Sequence, residues 1–132
     1  MTKLSIWATK LALCYFVATI TLGALALAAK AGFVAGWWFG LRPLHVQFGL
    51  IGWFVQLVFG VAYWILPKFS TGEKRPRAWA AGSAVVLINL GIVLSVVGYW
   101  WGQGRALGAA LELAAAGCFA FHAWPRVKTF AR

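Results

Sequence analysis

The sequence predicts an all-α integral membrane protein, in which residues 1–132 form a single domain with the architecture of a four-helix bundle. Hydrophobic residues make up 63% of the chain, which holds nine tryptophans, ten phenylalanines and only two acidic residues. A soluble domain of this length has too small an interior to bury so much apolar surface. Four apolar runs, at about 6–29, 43–66, 78–101 and 106–123, each provide roughly the 20 residues that cross a hydrocarbon core of about 30 Å.

Each apolar run has the features of a membrane helix. The first is longer than the apolar core of a signal peptide and three more runs follow it, so we expect it to remain as a membrane span. The second carries no charged residue between Pro43 and Pro67. The third ends in Trp100 and Trp101, whose rings suit the headgroup region, and Pro125 ends the alanine-rich fourth.

Basic residues flank the apolar runs and give the chain its net charge of +10. Nine lie near the N-terminus, in the middle loop and in the tail, whereas three lie in the other two loops. The nine are Lys3, Lys10, Lys68, Lys74, Arg75, Arg77, Arg126, Lys128 and Arg132, and the three are Lys30, Arg42 and Arg105. This asymmetry predicts that both termini are cytoplasmic. Because an anionic leaflet accounts for the basic rim, we expect a lipid bilayer and not a nucleic acid as the partner.

One face of the second helix is small or polar. Its residues recur at steps of three and four, which places them on one side: His45, Gly49, Gly52, Gln56, Gly60 and Tyr63. In one interpretation this face packs against another helix, since small residues let backbones approach and Gln56 finds a hydrogen-bond partner. In the other, the glycines leave a slot for a flat macrocycle whose iron His45 ligates. Spacing alone favours packing.

Glu112 is the only acidic residue within the four apolar runs. An ionised, unpaired carboxylate is costly inside a membrane, so we expect Glu112 to be protonated or partnered. It lies about 10 Å deeper than Arg105 at roughly 1.5 Å per residue, which makes a hydrogen bond to Gln56 or Asn89 easier than an ion pair with Arg105. Such a group has two interpretations. It relays protons or contacts a quinol, or it forms a neutral hydrogen bond between helices.

The segment Leu41-Arg42-Pro43-Leu44-His45, followed by a glycine-spaced apolar helix that ends at Pro67, resembles the second helix of the heme–copper oxidase catalytic subunit. The likeness is greatest to the C-type oxidase and nitric oxide reductase branches. The run from His45 to Phe69 also resembles short four-helix bacterial proteins described as subunit-I-like. The resemblance implies that His45 is an axial ligand of heme b and that the protein lies in the bacterial inner (cytoplasmic) membrane. It also implies that Arg42 contacts a heme propionate, although a lipid phosphate would need the same arginine.

The chain departs from that family where the oxygen chemistry resides. The family takes its second axial histidine, its copper ligands and its high-spin heme ligand from later helices that this sequence lacks. The other histidine, His122, ends the fourth run on the opposite side of a bundle about 30 Å thick, where we expect an interfacial anchor. The only methionine is Met1. An oxygen-reducing centre therefore cannot be built from this chain.

The sequence thus predicts a heme-b protein of respiratory electron transfer, with His45 on the iron and with Arg42, Gly49, Gly52 and Gln56 around the heme. The second axial position has three solutions: none, a second His45 across a twofold dimer axis, or a residue of a partner subunit. The alternative function is a heme-free accessory or assembly subunit of a respiratory complex. In both cases we expect a homo-oligomer or a larger respiratory complex, with quinone as a candidate ligand.

Overall fold

The computed structural model describes residues 1–70, 72 and 74–127. Within these residues every regular element is helical, and four helices are long and apolar enough to cross a membrane. The predicted class of an all-helical protein with four candidate membrane spans is therefore confirmed. Lys128 and Arg132, two of the basic residues that predict the orientation, lie outside the described residues, and cytoplasmic termini stay a prediction.

The helices match the four apolar runs closely. Helix α1 is Lys3–Lys30 and α2 is Gly36–Ile65, while α3 is Ala78–Trp101 and α4 is Gln103–Ala123, followed by a 3-10 turn at Trp124–Arg126. Helices α2 and α4 begin earlier than predicted. A 3-10 turn at Gly36–Leu41 precedes the predicted start of α2 at about 43, and Gly102 alone separates α4 from α3. Gly102 has φ +70°, a left-handed conformation that glycine adopts without steric cost and that lets the chain reverse within one residue.

Helix α2 is not a uniform α-helix. It starts as a 3-10 turn at Gly36–Leu41, is α-helical at Arg42–Val46, widens to a π-helix at Gln47–Val55 and returns to an α-helix at Gln56–Ile65. Long π-helices are rare, and single wide turns occur mostly at functional sites. The wide segment begins two residues after His45, so the irregular part of α2 lies in the region that the sequence singles out.

The glycine face of α2 packs against α1. A Cβ atom added at Gly49 would lie 2.9 Å from the Thr19 hydroxyl, and one added at Gly52 would lie 2.6 Å from the Tyr15 ring. Ser5 Oγ donates to the Gly60 carbonyl at 2.6 Å, a contact that needs the same close approach of the two helices. Small residues on α2 therefore let the backbones of α1 and α2 come together, as the packing interpretation requires.

Helices α3 and α4 form a second hairpin, which is packed even more closely. A Cβ atom at Gly98 would meet the backbone of Gly104 and Arg105 at 2.2–2.6 Å, and one at Gly108 would meet Ser95 at 2.2 Å. The two hairpins join through buried contacts: Phe59 stacks on Phe119 with ring centroids 4.2 Å apart. Two consecutive side-chain hydrogen bonds cross the same interface: Tyr15 donates to Asn89 at 3.0 Å, and Asn89 donates to Gln56 at 2.9 Å.

A buried arginine closes the end of the bundle where α2 and α4 terminate. Arg126 is fully buried and donates to the carbonyls of Tyr63, Leu66 and Pro67, the last residues of α2 and the start of its loop. Its Nη1 also donates to Nε2 of His122 at 2.7 Å. His122 is likewise fully buried and its Nδ1 contacts the carbonyls of Pro76 and Arg77. The expectation of an interfacial anchor is therefore corrected: His122 is an interior link, because Arg126 and the loop cover it.

Candidate functional site

His45 lies in the first α-helical turn of α2, where Pro43 stands at the start of the turn. Proline suits this position, because the first amides of a helix have no partner within the helix. The side chain is half-buried and turns towards α1. Its Nδ1 atom lies 2.7 Å from the Thr19 carbonyl oxygen and 3.1 Å from the Thr19 hydroxyl.

These contacts determine which ring nitrogen of His45 carries the proton. The Thr19 carbonyl can only accept, so Nδ1 must be the donor in that bond. The Thr19 hydroxyl donates its own proton to the His45 carbonyl at 2.7 Å, and it too can only accept from Nδ1. In the neutral ring Nε2 therefore holds the lone pair. Histidines that bind metals are oriented in this way, with one nitrogen donating to a carbonyl and the other left for the metal.

Nε2 of His45 is available for a ligand. It has no hydrogen-bond partner among the described residues, and it is not one of the fully buried polar atoms. The ring lies over Gly23 of α1, where an added Cβ would be 2.8 Å from Cε1 of His45. The absence of a side chain at Gly23 thus makes room for the imidazole, while Thr19, one turn earlier, holds it.

A groove of about 600 Å³ runs beside the imidazole on the outer surface of the bundle. Helix α1 contributes Phe16, Thr19 and Ile20, and α2 contributes His45, Val46, Gly49, Leu50, Trp53 and Phe54. The lining is aromatic or aliphatic except for His45, Thr19 and Gly49. Its volume falls in the range of about 300–1,000 Å³ that is usual for cofactor and ligand pockets.

The structure brings together only part of the predicted site. His45 and Gly49 line the groove, and Arg42 is exposed about one turn before His45, with its guanidinium 4.2 Å from the centre of the Phe39 ring. Gly52 and Gln56 do not line it. Gly52 faces Tyr15, and Gln56 is fully buried between the Asn89 amide and the Ala8 carbonyl.

Glu112 has partners other than those expected from its depth. Its Oε1 atom accepts from Nε2 of Gln47 at 2.5 Å and from Oγ of Ser95 at 3.1 Å. The expected bond to Gln56 or Asn89 is wrong, because those two amides bond to each other. Glu112 therefore ties α4 to α2 and α3.

The two histidines are far apart. His122 stacks on Tyr63 with ring centroids 5.1 Å apart, so it lies level with the end of α2. The stretch from His45 to Tyr63 is about 27 Å long at roughly 1.5 Å per residue. In the described part of the chain no cluster of three or more His, Cys, Asp or Glu side chains could hold a metal ion.

No protein-family model matches the chain, and neither a curated protein nor a solved structure matches it significantly.

Proposed function

We propose that this protein binds heme b through His45 and passes electrons within a respiratory complex of the bacterial inner membrane, without itself reducing oxygen. The observation that carries the proposal is the state of the His45 ring. Thr19 holds Nδ1 as a donor, which leaves the lone pair of Nε2 beside an apolar groove. Ring orientation by a backbone carbonyl is typical of metal-ligating histidines.

The residues of the groove fit a flat, largely apolar macrocycle. Phe16, Trp53 and Phe54 provide aromatic surface in the groove. Arg42 is exposed about one turn before His45, where its guanidinium could bind the carboxylate groups of such a ligand. Heme bound here would supply one-electron redox chemistry. His45 would hold the iron, Arg42 would bind a propionate, and Thr19 would keep the imidazole in one orientation.

A heme-free accessory or assembly subunit is the second candidate function, and one observation favours it. Tyr15 fills the space beside Gly52, so the glycine face of α2 is used for packing on α1. In this case the groove beside His45 would hold a lipid chain. Preparations of the protein would then be colourless and would contain a larger oxidase or quinol-oxidising complex.

Replacement of His45 by alanine tests the proposed ligand. We expect His45→Ala to abolish the b-type absorbance because the iron loses its ligand, while the helix content measured by circular dichroism stays unchanged. The measurement is a reduced-minus-oxidised spectrum with heme quantified per chain, on protein purified gently from native membranes. Val93→Ala, at an exposed position of α3, is the control and should keep its heme. Full heme in His45→Ala would show that another residue is the ligand.

Gly23→Ala tests whether the space at Gly23 positions the imidazole of His45, and it leaves every proposed ligand unchanged. The new methyl group would stand 2.8 Å from Cε1 of His45, so the ring must turn and its bond to Thr19 must lengthen. We expect heme occupancy to fall by at least about half, since overpacking forces side chains out of their preferred rotamers and would displace the imidazole of His45. Gly82→Ala is the matched control, because a Cβ there meets nothing within 4 Å. Equal occupancy in the two variants would contradict this role of Gly23.

A further inference from the structure

We infer that a second copy of this chain completes the heme site, with the His45 residues of the two copies ligating one iron from opposite sides. The inference rests on the proposed function and names the partner at that site. The sequence holds two histidines and one methionine. His122 is fully buried, with both ring nitrogens in hydrogen bonds, and lies level with the far end of α2. The second imidazole for an iron at His45 must therefore come from outside the chain.

The position of the groove allows a second copy to approach. All nine lining residues belong to α1 and α2, so α3 and α4 do not cover the groove. Its rim exposes apolar side chains, among which Ile20, Val46, Leu50 and Phe54 are each more than half exposed. A ligand in such an open groove presents its other face outwards, to whatever packs against α1 and α2.

Membrane topology restricts the symmetry of such a pair. In a symmetric pair, two copies inserted with the same orientation are related by a twofold axis along the membrane normal, and the interface is formed by the same surface of each copy. Both His45 side chains then lie at the same depth, so the two Nε2 atoms can meet one iron on the axis.

The charges of such a pair also match. Each copy brings one exposed Arg42 near His45, and two like charges close to an interface repel each other. One heme carries two propionate groups, so each arginine obtains its own carboxylate partner. In a heme held by a single chain, Arg42 would face two propionates. One Arg42 per chain thus matches one propionate per chain.

Heme stoichiometry measured with native mass tests the inference. On protein extracted gently from native membranes, we expect a dimer with one heme per two chains and the low-spin signal of an iron with two imidazoles. A monomer or a dimer with one heme per chain would overturn the inference and leave the proposed function standing. Protein without heme, under conditions that preserve heme in other membrane proteins, would overturn both.

Co-expression of equal amounts of wild-type and His45→Ala chains gives an independent readout. Random pairing across a twofold interface leaves only about a quarter of the pairs with two histidines, so the low-spin signal should fall to about a quarter. A fall to one half would mean that each chain binds its heme alone. The control is co-expression with Val93→Ala, which should leave the low-spin signal unchanged.

Discussion

Replacement of Arg126 by leucine should reduce the free energy of unfolding by about 3 kcal/mol, because it leaves several buried acceptors without a donor. Arg126 is fully buried and supplies hydrogen bonds to three carbonyls at the end of α2 and to His122. Leucine fills part of the volume but donates to none of them. A lower midpoint of thermal unfolding in detergent, followed by circular dichroism, would show the loss.

Two further variants separate hydrogen bonding from charge. Arg105→Leu removes a positive charge from an exposed position of α4 and should leave the unfolding midpoint unchanged. Arg126→Lys keeps the charge but replaces the guanidinium fork by one ammonium, which cannot reach all four acceptors, so it should also destabilise the bundle. Stability equal to wild type in Arg126→Lys would mean that charge at the end of α2, and not the hydrogen-bond network, is what Arg126 supplies.

The second large effect is expected for Gly108→Ala in the α3–α4 hairpin. A Cβ atom at Gly108 would stand 2.2 Å from Ser95 Oγ, 2.6 Å from Ser95 N and 2.7 Å from the Gly91 carbonyl. Two of these atoms belong to the backbone of α3, so the helices themselves must separate. Overpacking usually costs about 1–3 kcal/mol, and we expect the upper end of that range because rigid backbone has to move. Thermal unfolding in detergent measures the effect.

The same substitution elsewhere on α4 should have the opposite sign. A Cβ at Gly117 meets nothing within 4 Å, so Gly117→Ala adds a better helix former without a clash. In a helix interior this exchange is worth about 0.5–1 kcal/mol in favour of alanine. Two equally destabilised variants would imply that helix propensity or membrane insertion, and not the approach of α3 to α4, governs the response.

Much of the fold could be predicted because the bilayer imposes simple requirements. Each span needs an unbroken apolar run, so the sequence shows where the four helices lie, although the 3-10 turn that begins α2 at Gly36 precedes the predicted run. Small residues let helices approach each other, and Gly98 and Gly108 allow the close contact of α3 with α4. These features are local, so the order of apolar and small residues in the sequence is enough to indicate them.

The hydrogen-bond partners of the polar side chains between helices are harder to predict. The hydrogen bond from Gln47 to Glu112 depends on how α2 is rotated, and the π-helix at Gln47–Val55 changes that rotation. A stripe derived from steps of three and four residues assumes regular α-helix throughout and gives no sign of the wide turns. The sequence pattern therefore gives no sign that Gln47 is the partner of Glu112, although Gln47 follows His45 by only two residues.

For the candidate site, the sequence singles out His45 but not the residues that position its ring. Thr19 and Gly23 lie on α1, more than twenty residues earlier, and neither forms a recognisable motif. Their spacing of four places them on one helix face, which is the only sequence signal that connects them. It becomes meaningful once α1 is known to face the start of α2, and that is a matter of tertiary packing.

The single residue that joins α3 to α4 has a consequence for how the protein is made. With only Gly102 between them, the two helices close their contact over a minimal loop, and such local pairs form early in folding. The chain thus consists of two successive hairpins, α1–α2 and α3–α4. Every residue that holds or surrounds His45 belongs to the first of them. The contacts that orient His45 within one chain therefore need only α1 and α2, and the second hairpin supports them from outside the site.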